Sequence, residues 1–128
     1  YVYNKAFARW FDNNSVVTKI EDRDTVCDDC GENIFECIRE WADERGLYDK
    51  GDVKTQYIKL MEETGEIGRA ILKEDTREII DGIGDAVVVL TNLAELIGVP
   101  IEECIQEAYD VISKRTGKMV NGTFVKNN

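Results

Sequence analysis

The segment LMEETGEIGRAI, residues 60–71, combines an apolar helical pattern with a cluster of acids. Its apolar residues recur at the spacing that places side chains on one face of a helix, the face expected to enter a core. Glu62, Glu63 and Glu66 lie within five residues of this helix. Carboxylates three and four residues apart share a helix face and repel one another, so something must compensate them.

A second acidic stripe follows in the next predicted helix. The run IIDGIGDAVVVLTNLAELI, residues 79–97, is apolar enough to be a central helix that is buried on most sides. Glu78, Asp81 and Asp85 recur at steps of three and four and therefore form one stripe. Burying an unpaired carboxylate is costly, so three kinds of compensation come into question: Arg or Lys partners, protonated carboxyls, and a divalent metal.

The absence of histidine narrows the choice of metal. The chain has no His, which disfavours zinc, di-iron sites of the Glu-x-x-His type and any His-based catalytic triad. An all-oxygen site suits Mg²⁺, with Mn²⁺ as a second candidate. Two acidic stripes on antiparallel neighbouring helices would face each other across such a site. Gly82 and Gly84, beside the aspartates, indicate that a neighbouring helix or a ligand comes close to the backbone.

The rest of the chain predicts four helices with small β elements at both ends. The first begins near residue 32 and stops at Gly46; the others cover residues 53–73, 76–97 and 100–114. Asp52 and Asp75 are predicted N-caps, and LYDKGD, residues 47–52, is predicted as a loop. Asn121-Gly122 predicts a tight C-terminal hairpin.

This pattern predicts an all-α fold, a four-helix antiparallel bundle, because short connections make sequential helices pack antiparallel. The chain divides into an N-terminal extension, residues 1–31, and a helical domain, residues 32–128. The extension is predicted as a short β-hairpin followed by an acidic loop.

Composition excludes several classes of partner. The net charge is −10 and the pI is near 4.5, so the surface repels nucleic-acid backbones and anionic membranes. No apolar run approaches the roughly 20 residues that span a bilayer, and no signal peptide precedes the helices, so we expect a cytoplasmic protein. An acidic protein can still bind a small phosphorylated molecule when divalent cations lie between the two.

The four cysteines leave three interpretations open. Cys27, Cys30 and Cys37 include a C-x-x-C pair, and Cys104 lies in an apolar helical pattern. They are structural or free thiols, ligands of a small zinc-stabilised module, or a redox pair. The lack of a fourth Cys or His nearby favours the first interpretation.

The motifs EETGE, residues 62–66, and DGIGDAVVVL, residues 81–90, resemble the MazG-like branch of the all-α nucleoside triphosphate pyrophosphohydrolases. The family pattern is Glu-Glu-x-x-Glu followed by Glu-x-x-Asp, and the likeness to single-domain, phage-type members extends over about residues 34–125. Glu78 and Asp81 match the second part literally. The segment GDAVVVL, however, aligns Asp85 with the final Asp and puts Gly82 where the family has Glu. We favour Asp81 with Asp85 and treat Glu78 mainly as a cap and as an additional metal ligand.

The resemblance implies hydrolysis of a (d)NTP to the monophosphate and pyrophosphate by a homodimer or homotetramer, in the host cytoplasm if a phage encodes it. It implies Mg²⁺ on Glu62, Glu63, Glu66, Asp81 and Asp85, with Glu62 or Glu63 activating the water. The candidate phosphate ligands, by charge and position, are Lys59, Lys114, Arg115 and Lys118. Gly82 keeps an alternative open, a non-catalytic regulatory or nucleotide-binding module that retains the fold.

Overall fold

The computed structural model describes residues 33–128, so the predicted hairpin and acidic loop of residues 1–31 lie outside the described residues. Five helices and one hairpin make up the described part of the chain. They are α1 (Ile34–Glu44), α2 (Leu47–Lys50), α3 (Val53–Leu72), α4 (Thr76–Leu96), α5 (Ile101–Ile112), β1 (Gly117–Val120) and β2 (Thr123–Lys126). The predicted all-α fold with a C-terminal hairpin is confirmed.

Side-chain caps fix where three of the helices begin. Asn33, Asp52 and Asp75 each accept a hydrogen bond from the backbone N–H three residues further on, at 3.0, 3.2 and 3.1 Å. These bonds satisfy amides that have no partner inside the helix. The predicted caps at Asp52 and Asp75 are confirmed.

Glycines in the left-handed region end two helices. Gly46 follows α1 with φ +76° and Gly98 follows α4 with φ +88°, both as predicted. The loop predicted for residues 47–52 is partly wrong, because Leu47–Lys50 form the single helical turn α2. Two bonds close that turn, from Lys50 N–H to the Gly46 carbonyl at 2.9 Å and from Gly51 N–H to the Leu47 carbonyl at 2.6 Å. One turn is too short to leave a periodic signal in the sequence.

Helices α3 and α4 form the centre of the fold and run antiparallel. Ile67 on α3 lies against Gly82 on α4, and Glu63, earlier on α3, acts electrostatically on Asp85, later on α4. Residue numbers therefore rise along one helix as they fall along the other. Glu74, with φ 56°, makes the turn between the two helices. The antiparallel arrangement predicted for this pair is confirmed.

Helix α5 departs from that arrangement, because it leaves α4 at an angle of 101°. The antiparallel packing predicted for sequential helices therefore does not extend to this pair. Gly98 in the left-handed region and the fixed φ of Pro100 set the direction of the short link. Within residues 33–128 no single helix is long and apolar enough to cross a membrane, although α4 and α5, taken as one bent pair, meet that requirement by length and composition.

One polar contact joins two outer helices to each other, and a second joins α2 to the central helix α4. Arg39 on α1 donates to both carboxylate oxygens of Glu102 on α5, at 2.7 and 2.8 Å, and also pairs with Glu36. The hydroxyl of Tyr48 on α2 donates to Oδ1 of Asn92 on α4 at 2.7 Å. Burial raises the pKa of Tyr48 to about 12, so its hydroxyl stays protonated and remains a donor.

Much of the predicted apolar surface is uncovered within the described chain. The fully buried apolar residues are small: Ala42, Ala70, Val89 and Ala94. Large apolar residues of two helices are between 40% and 59% exposed: Val53, Tyr57, Met61 and Ile71 on α3, and Ile105, Tyr109 and Ile112 on α5. The helical pattern identified apolar faces correctly, but the described part of one chain does not bury them.

The C-terminal hairpin forms where the sequence predicted it. Val120 pairs with Thr123, and Asn121 and Gly122 between them have φ 50° and 84°. Positive φ at both central residues is the geometry of the two-residue turn that Asn-Gly favours.

Candidate metal and phosphate site

Glu63 is the buried carboxylate of the described chain. Only 5% of the residue is exposed, whereas Glu62 and Glu66 on the same helix are exposed. Its Oε1 lies 3.3 Å from Nζ of Lys59, but its Oε2 is buried and has no hydrogen-bond partner among residues 33–128. A buried polar atom without a partner is destabilising, so this oxygen is suited to a ligand that brings positive charge or a proton.

Asp85 of α4 lies within electrostatic reach of Glu63 on the facing helix. The pKa of Asp85 is raised, first by its burial and then by the negative charges of Asp81 and Glu63. The charges of Asp81, on the same helix, and of Glu63, on the facing helix, therefore both act on Asp85. The structure thus brings part of both predicted acidic stripes to one place between α3 and α4.

Glu66 and Glu62 extend this cluster toward solvent. The charge of Glu63 is the main reason why the pKa of Glu66 is raised. Lys59 lies 3.7 Å from Oε2 of Glu62, in addition to its contact with Glu63, and these acids raise the pKa of its ammonium. The sequence predicted Lys59 as a phosphate ligand; in this structure it is a counter-ion of two glutamates.

The carboxylates of the described residues do not form a complete metal-coordination site. Within residues 33–128, no three His, Cys, Asp or Glu side chains are placed to hold one metal ion. The donor set is nevertheless made entirely of carboxylates, and Glu63 offers a buried oxygen without a partner. Both features suit a hard, oxygen-preferring divalent ion such as Mg²⁺ or Mn²⁺.

A cavity of about 260 Å³ adjoins this cluster between the C-terminal half of α3 and the first half of α4. It is lined by Glu66, Arg69, Lys73, Glu78, Asp81 and Gly82. Arg69 and Lys73 are among the Arg and Lys residues close in sequence to the acids. Their signal was the spacing from Glu66, three and then four residues, which puts all three side chains on one face.

Glu78 and Gly82 are the two positions that could match the glutamate of the Glu-x-x-Asp motif, and both line the cavity. At the start of α4, the backbone N–H of Glu78 donates to the carboxylate of Asp75, which is the cap. A Cβ on Gly82 would lie 2.7 Å from Cγ1 of Ile67, so close helix packing accounts for this glycine. A Cβ on Gly84 would meet nothing within 4 Å in the described part of the chain.

Three predicted phosphate ligands lie elsewhere. Lys114 and Arg115 follow the end of α5 and Lys118 is in β1, and none of them lines the cavity. Of the predicted zinc ligands, Cys27 and Cys30 fall outside the described residues. The third, Cys37, is disulfide-bonded, whereas Cys104, a helix residue outside that set, carries a free thiol.

Comparison with known proteins identifies what this arrangement is similar to. Residues 52–120, which hold both acidic stripes, match the MazG nucleotide pyrophosphohydrolase domain. The chain is 38% identical over 64 residues to an uncharacterized 18.2 kDa protein in the rep-hol intergenic region of Haemophilus phage HP1. That match covers 50% of this chain and 39% of the phage protein. No solved structure matches the chain.

Proposed function

We propose that this chain, which belongs to the MazG nucleotide pyrophosphohydrolase family, hydrolyses a nucleoside or deoxynucleoside triphosphate to the monophosphate and pyrophosphate with the help of Mg²⁺ or Mn²⁺. The bond between the α- and β-phosphates breaks, and the atoms of one water are divided between the products. The observation that carries the proposal is Glu63, a buried glutamate with an unpartnered oxygen amid the other family acids.

In this proposal the five acids of the motif bind the metal, and two of them also act on the attacking water. Glu62, Glu63, Glu66, Asp81 and Asp85 hold the metal, and Glu78, at the cavity wall, is an additional ligand. When bound, the metal would neutralise phosphate charge and lower the pKa of a water, so that hydroxide forms as the nucleophile. Glu62 and Glu63 orient that water or accept its proton. Asp81, rather than the packed Gly82, takes the place of the missing family glutamate.

We propose that the active form is a homodimer or homotetramer. Lys114, Arg115 and Lys118 do not line the cavity of their own chain, so we propose that they reach phosphate in a neighbouring subunit. The uncovered apolar residues of α3 and α5 supply a surface for that assembly. The net charge of −10 supports a small nucleotide, and not a nucleic acid or an anionic membrane, as partner in the cytoplasm.

Product analysis tests the reaction. Purified protein is incubated with each of the common dNTPs and NTPs plus Mg²⁺, and the products are separated by anion-exchange chromatography. We expect monophosphate and pyrophosphate in equal amounts, and no turnover when the divalent ion is chelated. Release of orthophosphate with a diphosphate, or no turnover of any nucleotide, contradicts the proposal.

A matched pair of variants tests the site. Glu63→Gln removes one charge from the centre and should reduce kcat by about 100-fold or more, the scale on which acid–base and metal contacts act. Glu107→Gln, an exposed glutamate on α5, should leave kcat unchanged. Nucleotide binding by calorimetry without any product, in the unaltered protein, would favour the non-catalytic alternative instead.

A further inference from the structure

We propose that Arg69 and Lys73 form the subsite that holds the pyrophosphate part of the substrate and then the pyrophosphate product. This inference rests on the proposed function, since it assigns an orientation to the triphosphate in that site. It concerns the cavity of about 260 Å³ between α3 and α4, and it gives these two cations a role that neither the acidic motif nor the family match assigns.

The position of the two cations relative to the acids supports this assignment. Arg69 and Lys73 follow Glu66 by three and seven residues, so they continue its helix face toward the end of α3. They line one cavity with Glu66 and Asp81, which also belong to the proposed metal site. A phosphate group in this cavity would touch cations on one side and the metal-binding acids on the other.

The two cations are also not neutralised by ion pairs within the described residues. Lys59, at the other end of the cluster, lies 3.3 Å from Glu63 and 3.7 Å from Glu62. Neither Arg69 nor Lys73 makes an ion pair within 4.0 Å in residues 33–128, although both share the cavity with three acids. Their charge is therefore available to an anion.

The chemistry of the two side chains agrees with such a ligand. The guanidinium of Arg69 offers parallel N–H donors that match two phosphate oxygens, and Lys73 adds a compact positive charge one turn later. Glu78 and Asp81 on the facing helix repel a bare anion, so the cavity selects pyrophosphate accompanied by a divalent cation. The monophosphate and its nucleoside then extend from the cluster in the other direction, toward Glu62 and Lys59.

Calorimetry on the full chain tests the assignment, with pyrophosphate plus Mg²⁺ and a nucleoside monophosphate plus Mg²⁺ as the two probes. Arg69→Gln combined with Lys73→Gln should weaken pyrophosphate binding at least tenfold and change monophosphate binding less than twofold. Inhibition of turnover by added pyrophosphate should weaken in parallel. The exchange Arg69→Lys with Lys73→Arg keeps both charges and should restore most of the pyrophosphate affinity.

Lys54→Gln is the matched control, an exposed lysine in the first turn of α3, and it should leave both affinities unchanged. Unchanged pyrophosphate affinity in the double glutamine variant overturns the inference, and so does an equal loss for both probes, which would indicate a general electrostatic effect. If the unaltered protein turns nucleotides over but the variant binds pyrophosphate normally, only the subsite is wrong. If the unaltered protein gives no product yet loses pyrophosphate binding in the variant, the subsite stands and the proposed reaction fails.

Discussion

The substitution Gly82→Ala tests why the family glutamate is absent from α4. The added Cβ would lie 2.7 Å from Cγ1 of Ile67, a distance at which one of the two helices or the side chain must move. Ile67 is β-branched and its Cγ1 is close to the backbone, so it has little freedom to rotate away. Overpacking of this kind costs about 1–3 kcal/mol.

Helix propensity acts in the opposite direction. Alanine is about 1 kcal/mol more favourable than glycine inside a helix, so the net effect of Gly82→Ala is a loss of about 0–2 kcal/mol in the free energy of unfolding. Gly84→Ala is the matched control on the same helix, because its Cβ would meet nothing within 4 Å in residues 33–128. We expect that variant to gain about 0.5–1 kcal/mol.

Urea unfolding followed by circular dichroism, at one fixed protein concentration, measures both variants. The free energies of unfolding of Gly82→Ala and Gly84→Ala should differ by about 1–3 kcal/mol. This is the cost of overpacking alone, because both variants share the gain in helix propensity. In an Ile67→Ala background, which lacks the clashing atom, Gly82→Ala should cost little relative to Ile67→Ala alone, so the double-mutant cycle isolates the clash. Equal stabilisation by both alanines would refute the packing account and return Gly82 to the list of positions where a glutamate is sterically allowed.

Two further substitutions test the contacts that hold the outer helices. Glu102→Gln should cost no more than about 1 kcal/mol at neutral pH, because the Glu102 side chain is 42% exposed although that of Arg39 is 12% exposed. Arg39 lowers the pKa of Glu102 below its usual 4.5, so its stabilisation is complete above that pH and is lost as the pH falls through the folded-state pKa. In urea titrations along a pH series, the free energies of unfolding of the wild type and the variant should therefore converge as the pH falls. A difference that stays constant with pH would contradict this. Tyr48→Phe leaves Oδ1 of Asn92, a residue 2% exposed, without its donor and should cost about 1–3 kcal/mol by the same urea assay; an unchanged midpoint would indicate that another donor replaces the hydroxyl.

The parts of the fold that depend on local chemistry were readable from the sequence. Asp52 and Asp75 cap helices because their side chains reach amides three residues away, and Asn121-Gly122 adopts the positive φ values that a two-residue hairpin turn favours. The one-turn helix α2 and the 101° angle before α5 were not readable. The first is shorter than any period, and the second depends on how a short link is packed.

The sequence predicts which acids of the candidate site share a helix face, but not which of them is buried. Helical spacing predicts that Glu62, Glu63 and Glu66 share a face, and Glu63 does lie near Asp85. Spacing does not tell which of the three acids is buried, because this depends on the rotation of α3 against α4. For the same reason the sequence could not distinguish Lys59, which pairs with the acids, from the cations that line the cavity.

Lys59 has a further consequence for any measurement of cation binding. Its ammonium is attached to the same helix as Glu63, one turn away, so its local concentration beside that carboxylate is fixed by the chain and not by the solution. A dissolved cation that binds Glu63 has to compete with this tethered one. Its apparent dissociation constant therefore includes the free energy of moving Lys59 aside, and the exchange leaves the lysine available for another anion nearby.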